Sequence, residues 1–292
     1  MTLSTVPRAT VIISTYNWSS VLPFSIASAL EQTEQDLEIL VVGDACTDDS
    51  EQVVRAVGDP RVQWFNISER FGHQAGPNNE GLRRAAGEFV FYLNHDDVWL
   101  PHHIERFLEI FDTGADVVYG MTAILHTEGE VRLAPEYPTP YRRGMWTPPT
   151  VLAHRKSVVD QIGGWGDYRE LPMSPENDLV SRALDAGFRL EFCPRLTAVK
   201  VPAALRPDVY HTKPNHEQRE WLERIRSDDQ LEAKLLGELL KTRTVMPKQP
   251  TVIAEGIRLL KRIVRLVIKR RQPKGLARMR IDNNKRYKGS DP

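Results

Sequence analysis

The first third of the chain alternates short apolar runs with polar clusters. Residues 9–14, 37–42 and 89–93 are too short to be buried helices and read as buried strands, and 62–66 adds a shorter one. The segments between them have helical spacing. Residues 19–33 set Leu22, Ile26, Ala29 and Leu30 on one side, 50–57 opens on Ser50 as a cap, and 79–86 ends at Gly87. Strands alternating with helices predict a largely parallel sheet covered on both faces, with ligands bound where the strands end. Further on, the pattern predicts a helix over 103–111, a strand over 116–119 and a Pro-rich loop over 135–149. A strand at 151–154, a helix at 156–162 closed by Gly163 and Gly164, a helix at 178–186 closed by Gly187, and a polar helical stretch over 217–242 complete the reading.

Composition narrows the class. At 292 residues, 41% hydrophobic and 27% charged, the chain suits one substantial α/β domain with a smaller appendage. Cys46 and Cys193 are the only cysteines, which excludes a Cys-rich zinc site or a disulfide-stapled fold. No apolar stretch near Met1 reads as a signal peptide, and no uncharged run approaches the roughly 18–20 residues of a membrane span. A cytoplasmic location is the expectation. The net charge of zero conceals an asymmetry: residues 251–292 carry 13 Lys and Arg against 3 Asp and Glu, so the body is acidic. In that tail Ile253, Ile257, Leu260, Val264 and Val267 recur every three or four residues among Arg258, Lys261, Arg262, Arg265 and Lys269. Such a basic amphipathic helix suits an anionic membrane surface, which would make the protein peripheral to the inner face; packing against the acidic body or a partner subunit suits it equally.

Four polar segments carry candidate chemistry. Residues 43–50 place Asp44 just after a strand, where a carboxylate can accept hydrogen bonds from a base or ribose; a helix-capping turn is the plainer alternative. Asn94, His95, Asp96 and Asp97 follow an almost wholly apolar strand, and carboxylates clustered at such an exit are costly without a cation. Mg²⁺ or Mn²⁺ would take one or two of them and complete its shell with substrate phosphates; otherwise Asp97 caps the turn before Pro101. Glu176 and Asp178 open a helix, as general bases or as simple N-terminal charge. Tyr210, His211, Lys213 and His216 form a fourth, less specific cluster.

In this order the segments resemble the family 2 glycosyltransferases, which have the GT-A fold. The likeness runs from about Thr10 to Pro202. It rests on residues 11–17, 41–44 with 47–50, 79–81, 86–90, the Asp-x-Asp-like 94–97, and 162–165. The fold class it implies is α/β, a Rossmann-like mostly parallel sheet flanked by helices, with a basic helical C-terminal extension. The implied domains are a transferase domain over 1–215 (nucleotide half about 9–100, acceptor half about 101–215), a helical segment over 216–250 and a tail over 251–292. The resemblance implies that Thr15, Asn17 and Asp44 serve the nucleotide and that Asp96 takes the metal-binding position, for Mn²⁺ or Mg²⁺. Asn94, where members usually carry Asp, keeps a ribose contact, and Asp97 is a second ligand or a structural cap. Asn78 stands where members have Arg in a donor contact, a role that Arg70 or His73 can take over. Glu176 falls on the usual base position with Asp178 as the alternative, and His211 on a histidine that serves metal or diphosphate.

The implied reaction is inverting transfer of a sugar from a nucleotide-diphosphate donor, a UDP-sugar on family grounds, to a hydroxyl of a glycan or lipid-linked acceptor. A non-catalytic sugar-nucleotide binder is the alternative, since Asn94 and Pro175 both alter motif positions. The polar 14–17 segment lacks the Gly-rich turn of a dinucleotide oxidoreductase, and no nucleotidyltransferase phosphate loop is present. The body carries no nucleic-acid reading module.

Overall fold

The computed structural model describes residues 6–127, 130–134, 140–206 and 208–244. The basic tail at 251–292, the end of the 216–250 segment and part of the Pro-rich loop lie outside the described residues. The strands are β1 (Ala9–Thr15), β2 (Leu37–Gly43), β3 (Val62–Asn66), β4 (Phe89–Asn94), β5 (Val98–Trp99), β6 (Val117–Leu125), β7 (Val131–Ala134), β8 (Leu152–Arg155) and β9 (Leu190–Lys200). The helices are α1 (Leu22–Leu30), α2 (Ser50–Ala56), α3 (Ala75–Arg84), α4 (His103–Phe111), α5 (Lys156–Ile162), α6 (Pro175–Asp185), α7 (Val209–Thr212), α8 (His216–Ser227) and α9 (Leu231–Thr244).

The strands form one sheet in the order β3-β2-β1-β4-β8-β6-β9-β5, with β7 beside β6. The first four are parallel, as the pattern predicts; β8 runs antiparallel between β4 and β6, and β9 returns parallel to β6. Alternate side chains of β1 and β2 serve opposite faces. Val11, Ile13, Ile39 and Val41 pack with residues of α1 and α4, whereas Ile12, Leu40 and Val42 pack with residues of α3, α5 and α6. Gly81 lets α3 settle on β1, because a Cβ there would come within 2.6 Å of Ile12 Cγ2. The strand register matters most for function. Thr15 lies opposite Gly43, Gly43 opposite Asn66, and Ser14 opposite Asn94, so the polar segments after these strands share one sheet edge.

Three strands escaped the sequence pattern. β5 is two residues long and β7 four, below what periodicity detects. β9 is eleven residues long, but Pro194 and Arg195 interrupt it. Its register against β6 jumps there, from Gly120–Cys193 to Met121–Leu196, so the proline sits in a bulge, one of the few places a strand accepts it. α3 starts at Ala75 and α6 at Pro175, earlier than predicted, because proline is tolerated in a first turn. The helical stretch after residue 216 breaks into α8 and α9, where the Asp228 carboxylate and carbonyl accept the Gln230 and Leu231 amides. The boundary expected at residue 215 falls between α7 and α8. Trp221, Leu222 and Ile225 of α8 are buried, Trp221 and Ile225 among residues of β5, β6 and β9, and the compact unit runs through Leu239. A second unit begins at Leu240, of which the end of α9 is described. Among the described residues no helix is long and apolar enough to cross a membrane.

Two histidines are locked in the core. The His103 ring stacks on Trp99 at 4.3 Å and contacts Thr197 Oγ1 at 2.8 Å. His154 contacts the Tyr92 hydroxyl at 2.8 Å, and burial pushes its imidazole down to about 4. Between the unfolded value near 6.5 and the folded value, only the unfolded chain binds the proton, so stability falls as pH drops through that window. The contribution of His154 is about 3 kcal/mol. Urea unfolding at pH 7 and pH 4 should show a shallower acid loss in His154→Gln than in the wild type.

Candidate active site

The shared strand edge is walled by loops that hold one another. Asn17, in the left-handed region at φ 44°, accepts at Oδ1 from the Thr47 amide at 2.7 Å and the Asp48 amide at 3.3 Å, and donates to Thr47 Oγ1. The side chain expected to line the nucleotide pocket thus clasps its two walls together. Asp44, 4% exposed, accepts from the Phe71 amide at 2.7 Å and the Gly72 amide at 2.8 Å, one on each oxygen. Burial raises its carboxyl above the usual range, while those two amides and the Arg70 charge pull the other way. Asp44 therefore fixes the loop after β3, where the Arg70 guanidinium lies 3.8 Å from the Tyr16 ring and His73 stacks on Tyr168 at 5.2 Å. Asn79 reaches across to the loop after α5: its amide both donates to and accepts from the Trp165 backbone at 2.8 Å. A Cβ on Gly164 would collide with it.

Among the described residues, the buried Thr15 Oγ1 and Asn78 Nδ2 on this side have no hydrogen-bond partner. Buried groups of this kind are rare and call for a ligand or water.

At the exit of β4 the two neighbouring aspartates have different fates. Asp97 is fully buried and saturated. Its Oδ1 accepts from the Val201 amide at 2.9 Å, and its Oδ2 takes Lys200 Nζ at 2.9 Å, Asn94 Nδ2 at 3.1 Å and the Thr150 hydroxyl. Topology dictates the pairing, because β5 begins one residue after Asp97 and aligns Val98 with Val199. Of its two expected roles, Asp97 takes the structural one. Asn94 is likewise turned to Asp97. Asp96, 8% exposed, accepts no hydrogen bond from another residue's side chain or backbone among the described residues; Gln218 holds only its carbonyl. Burial and the neighbouring Asp97 charge push its carboxyl up.

Lys200 is the residue that sequence reasoning missed. Burial alone would lower its ammonium, but the charges of Asp97, Asp96 and Glu176 outweigh that and raise it. These acids come from two places in the chain, the exit of β4 and the start of α6, and meet around one cation. Lys200 escaped notice because Pro194 and Arg195 interrupt the strand, β9, that ends on it.

The two acids of α6 also part ways. Asp178 pairs with Arg182 at 2.7 Å, and that guanidinium also donates to the carbonyls of Ile162, Gly163 and Gly164, closing the end of α5. Glu176, 8% exposed, has no ion pair or hydrogen bond to its carboxylate among the described residues. His211 sits exposed on α7, which is tied to the loop after β1 by Tyr210 against Trp18 and by Ser20 donating to Lys213. Among the described residues no three His, Cys, Asp or Glu side chains are placed to hold a metal ion. Among the described residues the expected trio of Asp96, Asp97 and His211 is thus not assembled: Asp97 is paired with Lys200, and His211 is exposed on α7. What remains suits Mg²⁺ or Mn²⁺ of the kind bound by one carboxylate, phosphates and water, with Asp96 as that carboxylate.

The model of the family described as "Glycosyl transferase family 2" matches residues 10–158, about half of the chain. This chain belongs to that family. An uncharacterized glycosyltransferase of Nostoc sp. is 39% identical over 112 residues, 38% of this chain and 34% of the relative. The GalNAc(5)-diNAcBac-PP-undecaprenol beta-1,3-glucosyltransferase of Campylobacter jejuni is 32% identical over 130 residues, 43% of this chain and 41% of the relative. The match thus spans well under half the length of these curated relatives. In fold, the chain is similar to the mannosyltransferase PcManGT of Pyrobaculum calidifontis, solved with GDP-Man and Mn²⁺. That likeness has a TM-score of 0.53 at 18% identity and covers 88% of this chain and 81% of the other. It establishes the GT-A-like α/β architecture.

Within this family member the Asp97–Lys200 pair is open to direct test. Lys200→Met leaves Asp97 buried without its cation and should cost about 3–5 kcal/mol in urea unfolding. Adding Asp97→Asn should recover a large part of that loss, since the stranded charge goes with it.

Proposed function

We propose that this chain is an inverting glycosyltransferase that moves a sugar from a nucleotide-diphosphate donor to an acceptor hydroxyl. The observation that carries the reading is the pair of buried carboxylates left unpartnered at one site, Asp96 from the donor half and Glu176 from the acceptor half, both beside Lys200. Asp96 would hold Mn²⁺ or Mg²⁺, which when bound neutralises the donor diphosphate as it leaves. Thr15 and Asn78 supply unused hydrogen-bonding capacity on the nucleotide side, and Asp44 and Asn17 keep the pocket walls in place. Glu176 is the general base in preference to Asp178, whose carboxylate is spent on Arg182. It takes the proton of the acceptor hydroxyl while that oxygen bonds to the anomeric carbon and the carbon–phosphate-oxygen bond breaks on the opposite side. One displacement inverts the configuration.

A UDP-sugar is the donor to try first, with a GDP-sugar beside it because the Pyrobaculum neighbour was solved with GDP-Man. A sugar on a polyprenyl diphosphate is the acceptor class suggested by the Campylobacter relative, whose name specifies an undecaprenol-linked substrate. Such an acceptor would give the basic tail at residues 251–292 a use, as an anchor on anionic lipid.

Glu176→Gln should lower turnover by about 10²–10⁴ while the Mn²⁺-dependent thermal shift with nucleotide stays as in the wild type. Asp96→Asn should instead abolish the metal-dependent part of that shift. Full turnover in the Gln variant contradicts the base assignment. For the tail, co-sedimentation with anionic liposomes should fall on removal of residues 251–292, and equal recovery disposes of the anchor.

A further inference from the structure

Residues 141–147 run beside α6 and are fastened to one face of it. Asn177, Ser181 and Asp185 are spaced four apart, so they form a single row along the helix. The Asn177 amide oxygen accepts from the Thr147 amide at 3.3 Å, and its nitrogen donates to the Gly144 carbonyl at 3.5 Å. Ser181 Oγ lies 3.2 Å from the Tyr141 hydroxyl and accepts from the Gly144 amide at 3.2 Å. Arg143 pairs with Asp185. Tyr141 is itself buried, edge-on to Tyr119. This stretch is therefore a firm strap along the helix that presents Glu176.

The strap holds one large apolar group outward. Trp146 is 44% exposed, and no hydrogen bond or ring contact engages its indole among the described residues. Its neighbour Thr147 is bonded to Asn177, which adjoins Glu176. An indole left 44% exposed among the described residues has forgone part of the burial that large aromatics ordinarily find. Thr147 Oγ1 on the same strap and Ser174 Oγ at the cap of α6 are buried hydroxyls with no hydrogen-bond partner among the described residues. An exposed aromatic face on the strap along α6 suits a sugar ring, which offers an apolar C–H face and polar edges.

We propose that Trp146 is the platform on which the acceptor sugar stacks, bringing its hydroxyl to Glu176. The proposal rests on the glycosyl-transfer reading above and deepens it on the acceptor side. The test uses the full chain as wild type, Trp146→Ala and Trp146→Phe, with UDP and Mg²⁺ present. Saturation-transfer NMR reads binding of four methyl glycosides: glucoside, galactoside, mannoside and N-acetylglucosaminide. At least one should bind the wild type, bind the Ala variant about tenfold more weakly, and bind the Phe variant nearly as well as the wild type. The nucleotide-dependent thermal shift should be equal in all three proteins, because Trp146 lies on the acceptor side. Unchanged glycoside binding in Trp146→Ala overturns the platform, as does a wild type that binds none of the four. A wild type whose melting point responds to neither UDP nor GDP removes the transfer reading itself, whatever the glycosides do.

Discussion

The ion pair between Asp97 and Lys200 organises this molecule. Two charges taken out of water are tolerable only when each is paired and the remaining lone pairs are satisfied. Here Asp97 receives a lysine, a backbone amide, an amide side chain and a hydroxyl, drawn from β4, β9 and the segment before β8. The pair ties the end of the parallel half of the sheet to the end of β9. It also places a positive charge beside Asp96 and Glu176, two acids whose carboxylates have no ion pair of their own among the described residues.

That arrangement separates two tasks the acidic cluster performs. One carboxylate is spent on architecture, and its buried neighbours are left without an ion pair of their own among the described residues. α6 repeats the division: Asp178 is spent on Arg182, which closes α5, and Glu176 is left over. In both places the acid with the fullest set of partners is the structural one, and the acid without partners is the candidate for chemistry.

Much of the fold was legible because its signals are local. Apolar runs at 9–14, 37–42 and 89–93 form strands β1, β2 and β4, and their common register brings Thr15, Gly43 and Asn94 to one edge. The site was legible in outline but not in role. Asp96 and Asp97 look alike in sequence, and only the pairing of β5 with β9 distinguishes them, a contact spanning about a hundred residues of chain. Asp44 reads as a ligand contact from its place after a strand and Asn17 through the family resemblance; in the structure both also hold neighbouring loops. Lys200 was invisible because the strand that carries it is broken by Pro194, and a bulge cannot be foreseen without knowing the partner strand.

The claim that matters most is that Asp96, and not its saturated neighbour, is the carboxylate that takes the divalent ion. Crystals of the full chain grown with a nucleoside diphosphate and Mn²⁺, measured at the manganese absorption edge, test it directly. The account predicts one anomalous peak within about 2.2 Å of an Asp96 carboxylate oxygen and touching the diphosphate, with Asp97 still bound to Lys200. A peak on Asp97 with Lys200 displaced, or nucleotide bound with no peak at Asp96, would contradict it.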